Sequence, residues 1–544
     1  MIINRVFLIL WVAIMLTCGG SAWSQVSCTD PVETSSGLVR GTSDTETGTC
    51  VWRGIPYAAP PVGELRWKSP QPHPFWSGVR DATEFGARCM QKDVKGAMKL
   101  VTPDPSGKMS EDCLFMNIWR PAKSGRFPVM VWIHGGGYLW GTANTEFYWG
   151  DRLAEAGDVV VVTFNYRLDI FGFFAHPALM DEDPNGATGG QGSLDQVAAI
   201  KWVHENIEAF GGDPDNLTIF GESAGGYSIC TMIATPLTEG LFHKAIMQSG
   251  GCDSSRSLEA GYKSAREAAS KLGCDPDDLD CLRDLPAEKV LFEGTKRMTE
   301  QDAKPHHDGY LLTDTPINMI RSGNYNHVPF MAGYNRDEAA AIWRYLPEYW
   351  FTRPAKYKSE LVDMGFDESD ADRLVELYPL GEFNNKPARA YGRMFGTDTA
   401  FGCPSYQALS ATARQQEGIY FYRFDFQGFT FSGLAGAAHG MEIPFVFNSM
   451  DRAPTNLLYN RRNIKKAREL SGIIQGYWLN FAKTGNPNGP GLPAWPQFKT
   501  DSQTVQVLDL DTRSEPATVI KERYEYWQEL GDREAVPGLW DSFK

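Results

Sequence analysis

Three observations in the amino-acid sequence predict an α/β fold, a mostly parallel central sheet flanked by helices. Short apolar or β-branched runs end repeatedly in glycine-rich or polar turns. Segments with helical periodicity lie between them. One apolar run then passes straight into a small, apolar helical stretch through Gly221-Glu222-Ser223-Ala224-Gly225. Buried strands alternating with helices are the signature of a parallel sheet covered on both faces, since each parallel pair needs a crossover.

The elements follow in chain order. Arg5 precedes an unbroken apolar run at 6–16, then small residues, with Ala22 and Ser24 placed for cleavage after Ser24. That is the layout of a secretory leader over 1–24, and the run is far shorter than the ~20 residues needed to span a bilayer. The expectation is an exported protein without stable membrane insertion, secreted or periplasmic. Leu16-Thr17-Cys18 faintly resembles a lipoprotein box, but Thr17 stands where that box takes Gly, Ala or Ser, which argues against an anchor at Cys18. Residues 25–544 then form one domain.

Strands are predicted at 127–133, running into His134-Gly135-Gly136-Gly137, and at 159–164, running into Asn165-Tyr166-Arg167. A helix is predicted at 194–210, stopped by Gly211-Gly212-Asp213-Pro214, then a strand at 217–220 and a helix at 224–234. Strands at 245–248, 328–332, 419–424 and 504–508 complete the series. The polar, helical stretches at 254–304 and 337–414 read as insertions over one edge, where they would wall a pocket.

Composition narrows the function. With 52 basic and 67 acidic side chains the formal balance is −15, which excludes a nucleic-acid binder working by bulk charge. Of ten cysteines, nine remain without Cys18, and in an oxidising compartment most should be bridged. Cys274 and Cys281 are the closest pair. Cys28 with Cys50 follows from proximity, and Cys252 with Cys403 is a further expectation that leaves Cys230 as a free, buried thiol. No Cys-x-x-Cys or His-x-x-x-His cluster suggests a metal site.

The chemistry rests on Gly221-Glu222-Ser223-Ala224-Gly225. A strand before it and a helix after it make this Gly-x-Ser-x-Gly segment a nucleophile elbow, a tight turn that projects the Ser223 hydroxyl at the carboxyl edge of the sheet. A serine hydroxyl needs a base, an orienting carboxylate and donors for the oxyanion. The glycine run after the 127–133 strand supplies donors: the N–H groups of Gly136 and Gly137, with that of Ala224.

Together with these motifs, Trp52-Arg53-Gly54-Ile55-Pro56-Tyr57-Ala58, Glu111-Asp112-Cys113-Leu114-Phe115-Met116-Asn117-Ile118 and Phe210-Gly211-Gly212-Asp213-Pro214 make the chain resemble the type-B carboxylesterases, the cholinesterase-like α/β-hydrolases. The resemblance implies a serine carboxylic ester hydrolase. It names Glu338, in Gly333-Tyr334-Asn335-Arg336-Asp337-Glu338, as the acid, and His439, in His439-Gly440-Met441-Glu442, as the base. It also implies disulfides Cys89 with Cys113 and Cys274 with Cys281. Asp337 is the rival acid, better suited to local turn hydrogen bonds, and Glu222 is expected in a buried polar network, with tuning of the base's charge as the alternative role. His134 is expected to pack within the glycine loop, and His306 and His307 are candidates for the pocket wall.

The expected reaction is acyl transfer from a small-molecule ester, with no metal or organic cofactor. Tyr138, Trp140, Trp149 and Trp343 form either an aromatic wall or core packing. Two other functions stay open: a catalytically silent binding relative, and an amide or lactone hydrolase using the same groups. Oligomeric state leaves no signal in the sequence.

Overall fold

The computed structural model describes residues 27–93, 104–295, 302–338, 351–430 and 436–533. The leader, Cys18 and Trp343 lie outside them. The large sheet contains β1 (Thr42–Ser43), β2 (Cys50–Pro56), β3 (Phe115–Arg120), β4 (Phe127–Ile133), β5 (Val160–Phe164), β6 (Gly212–Glu222), β7 (Lys244–Gln248), β8 (Phe330–Asn335), β9 (Ile419–Phe424), β10 (Thr504–Leu508) and β11 (Arg513–Pro516). Their order across the sheet is β11-β10-β9-β8-β7-β6-β4-β5-β3-β2-β1. From β5 to β10 all neighbours are parallel, and the antiparallel pairs lie at the two edges.

Side chains on a strand alternate between faces, and both faces here are dry. On β4, Val129, Val131 and Ile133 join one core while Met130 and Trp132 join the other. Helices α1 (Gln191–Asn206) and α2 (Ala224–Ala234) cover the first face with residues such as Ile200, Val203, Ile229 and Ile233. The second is covered by α4 (Ile464–Thr484) through Leu470, Ile474, Trp478 and Phe481. Helix α3 (Cys403–Thr412) and helix α5 (Thr518–Asp532) flank the far side of the first core. The 254–304 and 337–414 stretches contain several helices joined by turns where described, among them Leu258–Leu272 and Glu368–Leu377.

Several predicted boundaries move for identifiable reasons. The 328–332 strand starts at Phe330, because Pro329 has no N–H for the ladder, and continues to Asn335. Strand β6 is longer than 217–220 because it begins at Gly212 and absorbs a register irregularity before Leu217. The α1 helix starts at Gln191 and tightens into a 3₁₀ turn at Ile207–Phe210, ended by Gly211 at φ 77°. The antiparallel strands β1, β2, β3 and β11 are not among the predicted strands.

Disulfides join Cys28 to Cys50, Cys89 to Cys113, Cys230 to Cys252 and Cys274 to Cys281. The expected Cys252–Cys403 bridge and free Cys230 are therefore wrong. Cys230 sits on α2, which follows β6, and Cys252 follows β7; these strands are parallel neighbours, so helix and loop meet with Cα atoms 5.3 Å apart. Cys403 opens α3 as a buried free thiol, and burial pushes its pKa well above the usual range. Among the described residues no helix is long and apolar enough to cross a membrane, and no group of three His, Cys, Asp or Glu side chains is arranged to hold a metal ion.

Candidate active site

The three predicted catalytic side chains leave the carboxyl ends of three strands. Ser223 follows β6, Glu338 follows β8, and His439 lies beyond β9. In the strand order β6-β7-β8-β9 these are close neighbours, and strands spaced ~4.8 Å apart leave ~14 Å from β6 to β9 for loops to bridge.

Ser223 has φ 58° and ψ −123°, a conformation that L residues rarely hold. Its N–H donates to the Gln248 carbonyl at 3.0 Å, and its carbonyl accepts from Tyr227 N–H at 2.9 Å as α2 begins. The turn is this tight because α2 lies on β4: a Cβ at Gly225 would sit 2.0 Å from the Ile133 carbonyl oxygen. Ser223 is partly exposed, and its hydroxyl makes no hydrogen bond among the described residues.

The glycine loop lies against this elbow. A Cβ at Gly135 would meet Ser223 Cβ at 2.9 Å and the Glu222 carboxylate at 3.0 Å. Gly136 has φ 116° and Gly137 φ 60°. The Gly136 carbonyl accepts from the Leu139 and Trp140 N–H groups at 3.0 and 3.1 Å, which folds the loop back on itself. Ala224 is the first residue of α2, so its N–H has no partner within the helix. His134 is buried, contacts the Gly135 carbonyl through Nδ1 at 2.8 Å and stacks on Tyr166. Burial lowers its pKa to about 4, against the Gly135 hydrogen bond, so it stays neutral.

Gly136→Ala tests the loop. The new Cβ would lie 1.9 Å from the Trp140 carbonyl oxygen, on a backbone that disfavours side chains. The loop must shift, and kcat is expected to fall by about 10²–10³-fold, the effect of losing an oxyanion donor.

The structure brings His439 and Glu338 together: Nδ1 lies 2.6 Å from Oε2. The other oxygen of Glu338 accepts from the Ser249 hydroxyl and the Asn335 N–H, each at 2.6 Å. Glu338 is fully buried. Asp337 accepts from Ala437 N–H at 2.9 Å and from Gln427 at 3.0 Å, tying down the loop rather than meeting the imidazole. Nε2 of His439 lies 3.2 Å from Glu222 Oε1, so in this conformation the imidazole faces the residue beside Ser223 and does not bond its hydroxyl.

Behind this cluster lies a hydrogen-bonded set that sequence reasoning missed. Glu442 accepts from Gln248 at 3.0 Å and from Asn335 at 2.5 Å, and Gln248 accepts from Trp478 at 3.1 Å. Three buried carboxylates thus surround one imidazole. Burial disfavours a charge on His439, but Glu222 and Glu338 outweigh it and its pKa rises. Burial, with Glu442 and Glu338 adding to it, raises the Glu222 carboxyl against the pull of the imidazole. Ser249 and Gln248 sit at the end of β7 with nothing local to mark them, since their partners come from distant segments.

The other candidates disperse. Trp140 is beside the loop, 3.1 Å from a Cβ built on Gly136. Tyr138 is buried against Phe173 and Ser228, and Trp149 stacks on Phe85. His306 is buried and bonds the Gly189 carbonyl, and His307 bonds Ser255.

Comparisons with known proteins agree on one group. The model of the Carboxylesterase family matches residues 29–527. Fumonisin B1 esterase from Sphingopyxis macrogoltabida is 37% identical over 86% of this chain and 84% of its own. Para-nitrobenzyl esterase from Bacillus subtilis (strain 168) is 35% identical over 92% of this chain and 99% of its own. In structure, the Geobacillus stearothermophilus carboxylesterase Est55 matches with a TM-score of 0.79 and 34% identity, covering 91% of this chain and 99% of that one.

Proposed function

The chain belongs to the carboxylesterase family and is a carboxylic ester hydrolase, and from that premise we propose that it works through an acyl-enzyme on Ser223. The observation that carries this reading is the 2.6 Å contact of His439 Nδ1 with Glu338. A carboxylate there keeps the proton of the neutral ring on Nδ1, so Nε2 carries the lone pair and can act as the base.

In the first half-reaction Ser223 Oγ attacks the ester carbonyl carbon as Nε2 takes the hydroxyl proton. This needs the ring to turn from Glu222 toward Ser223, a tightening expected when substrate fills the site. The N–H groups of Gly136, Gly137 and Ala224 receive the oxyanion. Nε2 then gives its proton to the leaving alkoxide, and the alcohol departs. In the second half water attacks the acyl-enzyme, losing a proton to Nε2; the bond from the acyl carbon to Ser223 Oγ then breaks, Nε2 returns its proton to Oγ, and the carboxylic acid is released. Glu338 and Glu222 stabilise the imidazolium in both halves, and this chemistry calls for no metal or organic cofactor.

The substrates are small-molecule esters, in keeping with relatives named for fumonisin B1 and para-nitrobenzyl esters. The leader-like start and four disulfides support export as a single domain after cleavage near Ser24. Rapid mixing with a p-nitrophenyl ester tests the acyl-enzyme: one equivalent of phenol should appear in a burst, and no substrate in a panel of esters varied in acyl and alcohol size should bypass Ser223. Faster cleavage of matched amides or lactones than of esters would redirect the assignment to those bonds.

Glu222 adds a pH test. Its carboxylate stabilises the imidazolium and so raises the pKa of His439. In Glu222→Gln that contribution disappears, the imidazole is neutral at lower pH, and the acidic limb of kcat/KM is expected to move to lower pH. A pH-rate profile measures the displacement, and an unmoved or alkaline-shifted limb contradicts the assignment of that limb to His439.

A further inference from the structure

One segment touches all three of the elements that carry Ser223, Glu338 and His439. Residues Gly392–Gly402 form a run of π-helix leading into α3. Such helices are rare, usually a single turn, and recur at functional sites. At its start, the Arg393 guanidinium donates to the Arg336 carbonyl, two residues before Glu338. Near its end, the Ala400 carbonyl accepts from the Tyr227 hydroxyl at 2.6 Å, and Tyr227 lies one turn past Ser223 on α2. The next residue, Phe401, stacks on His439 with ring centroids 4.6 Å apart and planes at 30°. The segment is anchored from within by Asp398, fully buried between Arg393 at 3.2 Å and Arg523 of α5 at 3.3 Å.

We propose that this π-helical segment is a clamp that holds the three catalytic segments in register, with Phe401 as the positioning residue for the His439 imidazole. The proposal rests on the reading of Ser223, Glu338 and His439 as the catalytic side chains. Its physical basis is the geometry of restraint. The Glu338 hydrogen bond fixes Nδ1, but the 3.2 Å contact of Nε2 with Glu222 is given up once the ring turns to Ser223, and a ring then held at one nitrogen tips about it. A flat aromatic face laid nearly parallel to the imidazole blocks that tipping and leaves in-plane motion between Glu222 and Ser223 free. Phe401 is partly exposed and packs at the margin of the first core, so its contribution to packing has to be separated from its hold on the imidazole.

Phe401→Leu and Phe401→Tyr separate positioning from packing, because leucine restores apolar bulk without a flat face and tyrosine restores the face. With p-nitrophenyl esters, Phe401→Leu should lose about 10–10²-fold in kcat, the scale of a small misplacement of a reacting group, with KM within about threefold of the parent. Phe401→Tyr should stay within about threefold in both. Melting temperatures establish that both variants fold, and Asp398→Asn, which loosens the anchor without touching the site, should give a smaller loss of the same kind. Equal kcat in the leucine and tyrosine variants, or a leucine variant changed only in KM, overturns the proposal. Ser223→Ala measured alongside separates the two claims: if it is inactive while Phe401→Leu is normal, only the clamp fails, and if it remains active the underlying reading fails first.

Discussion

Replacing Ser223 by Ala is expected to lower kcat by about 10⁴–10⁶-fold and leave folding intact. The fold should survive because alanine carries the same Cβ on the same strained backbone, and the Ser223 hydroxyl makes no hydrogen bond among the described residues that its removal would orphan. Activity should not, because the remaining groups have no nucleophile to activate except water. Nε2 of His439 and the N–H groups of Gly136, Gly137 and Ala224 still polarise a bound ester, so a residual rate above the uncatalysed one should persist. Steady-state kinetics on a p-nitrophenyl ester, with a melting curve to verify the fold, measures both. Near-parental turnover in a folded variant defeats the assignment.

Glu338→Gln is expected to cost about 10⁴-fold in kcat through the tautomer of His439. Oε1 of Glu338 accepts from two donors, the Ser249 hydroxyl and the Asn335 N–H. In the amide variant the carbonyl oxygen must take that place, which turns the NH₂ group toward His439. Nδ1 then becomes an acceptor, the ring proton moves to Nε2, and the base has no lone pair to offer Ser223. Kinetics of this variant should show a loss in kcat with KM little changed. Glu338→Asp shortens the side chain without changing its hydrogen-bonding character, so it should retain more activity than the glutamine variant, and the reverse order would contradict the tautomer argument.

The parallel core was legible because strands buried on both faces are written as continuous apolar runs, as at 127–133 and 419–424. The edge strands were not. Cys50–Pro56 carries Arg53 and Gly54, and Phe115–Arg120 carries Asn117, so polar and turn-forming residues interrupt the pattern. Local sequence also hid the start of β6, where Gly212-Asp213-Pro214 has the composition of a loop yet Gly212 pairs with Phe127 of β4 before the register irregularity. Three of the expected disulfides are present, and only the Cys252–Cys403 pairing failed, for a related reason. Which thiols meet depends on which strands are neighbours, and the adjacency of β6 and β7 that joins Cys230 to Cys252 is a fact of topology.

The candidate site divides in the same way. The elbow is local, since its strand, turn and helix are consecutive in the chain. Glu338 and His439 were named by motif resemblance, and no periodicity placed them near Ser223. The contact of His439 with Glu222, the hold of Ser249 on Glu338 and the stacking of Phe401 all join distant segments. Each arises only once β6, β7, β8 and β9 lie side by side.

The most direct measurement of the central claim is covalent labelling of the folded protein by a dialkyl fluorophosphate or phosphate ester, followed by intact-mass analysis and peptide mapping. One phosphoryl adduct, on Ser223, should form in proportion to the activity lost, and should not form on chain carrying His439→Ala at a comparable rate. Full inactivation with the adduct on another residue, or an unmodified Ser223 in inactivated protein, would contradict the account.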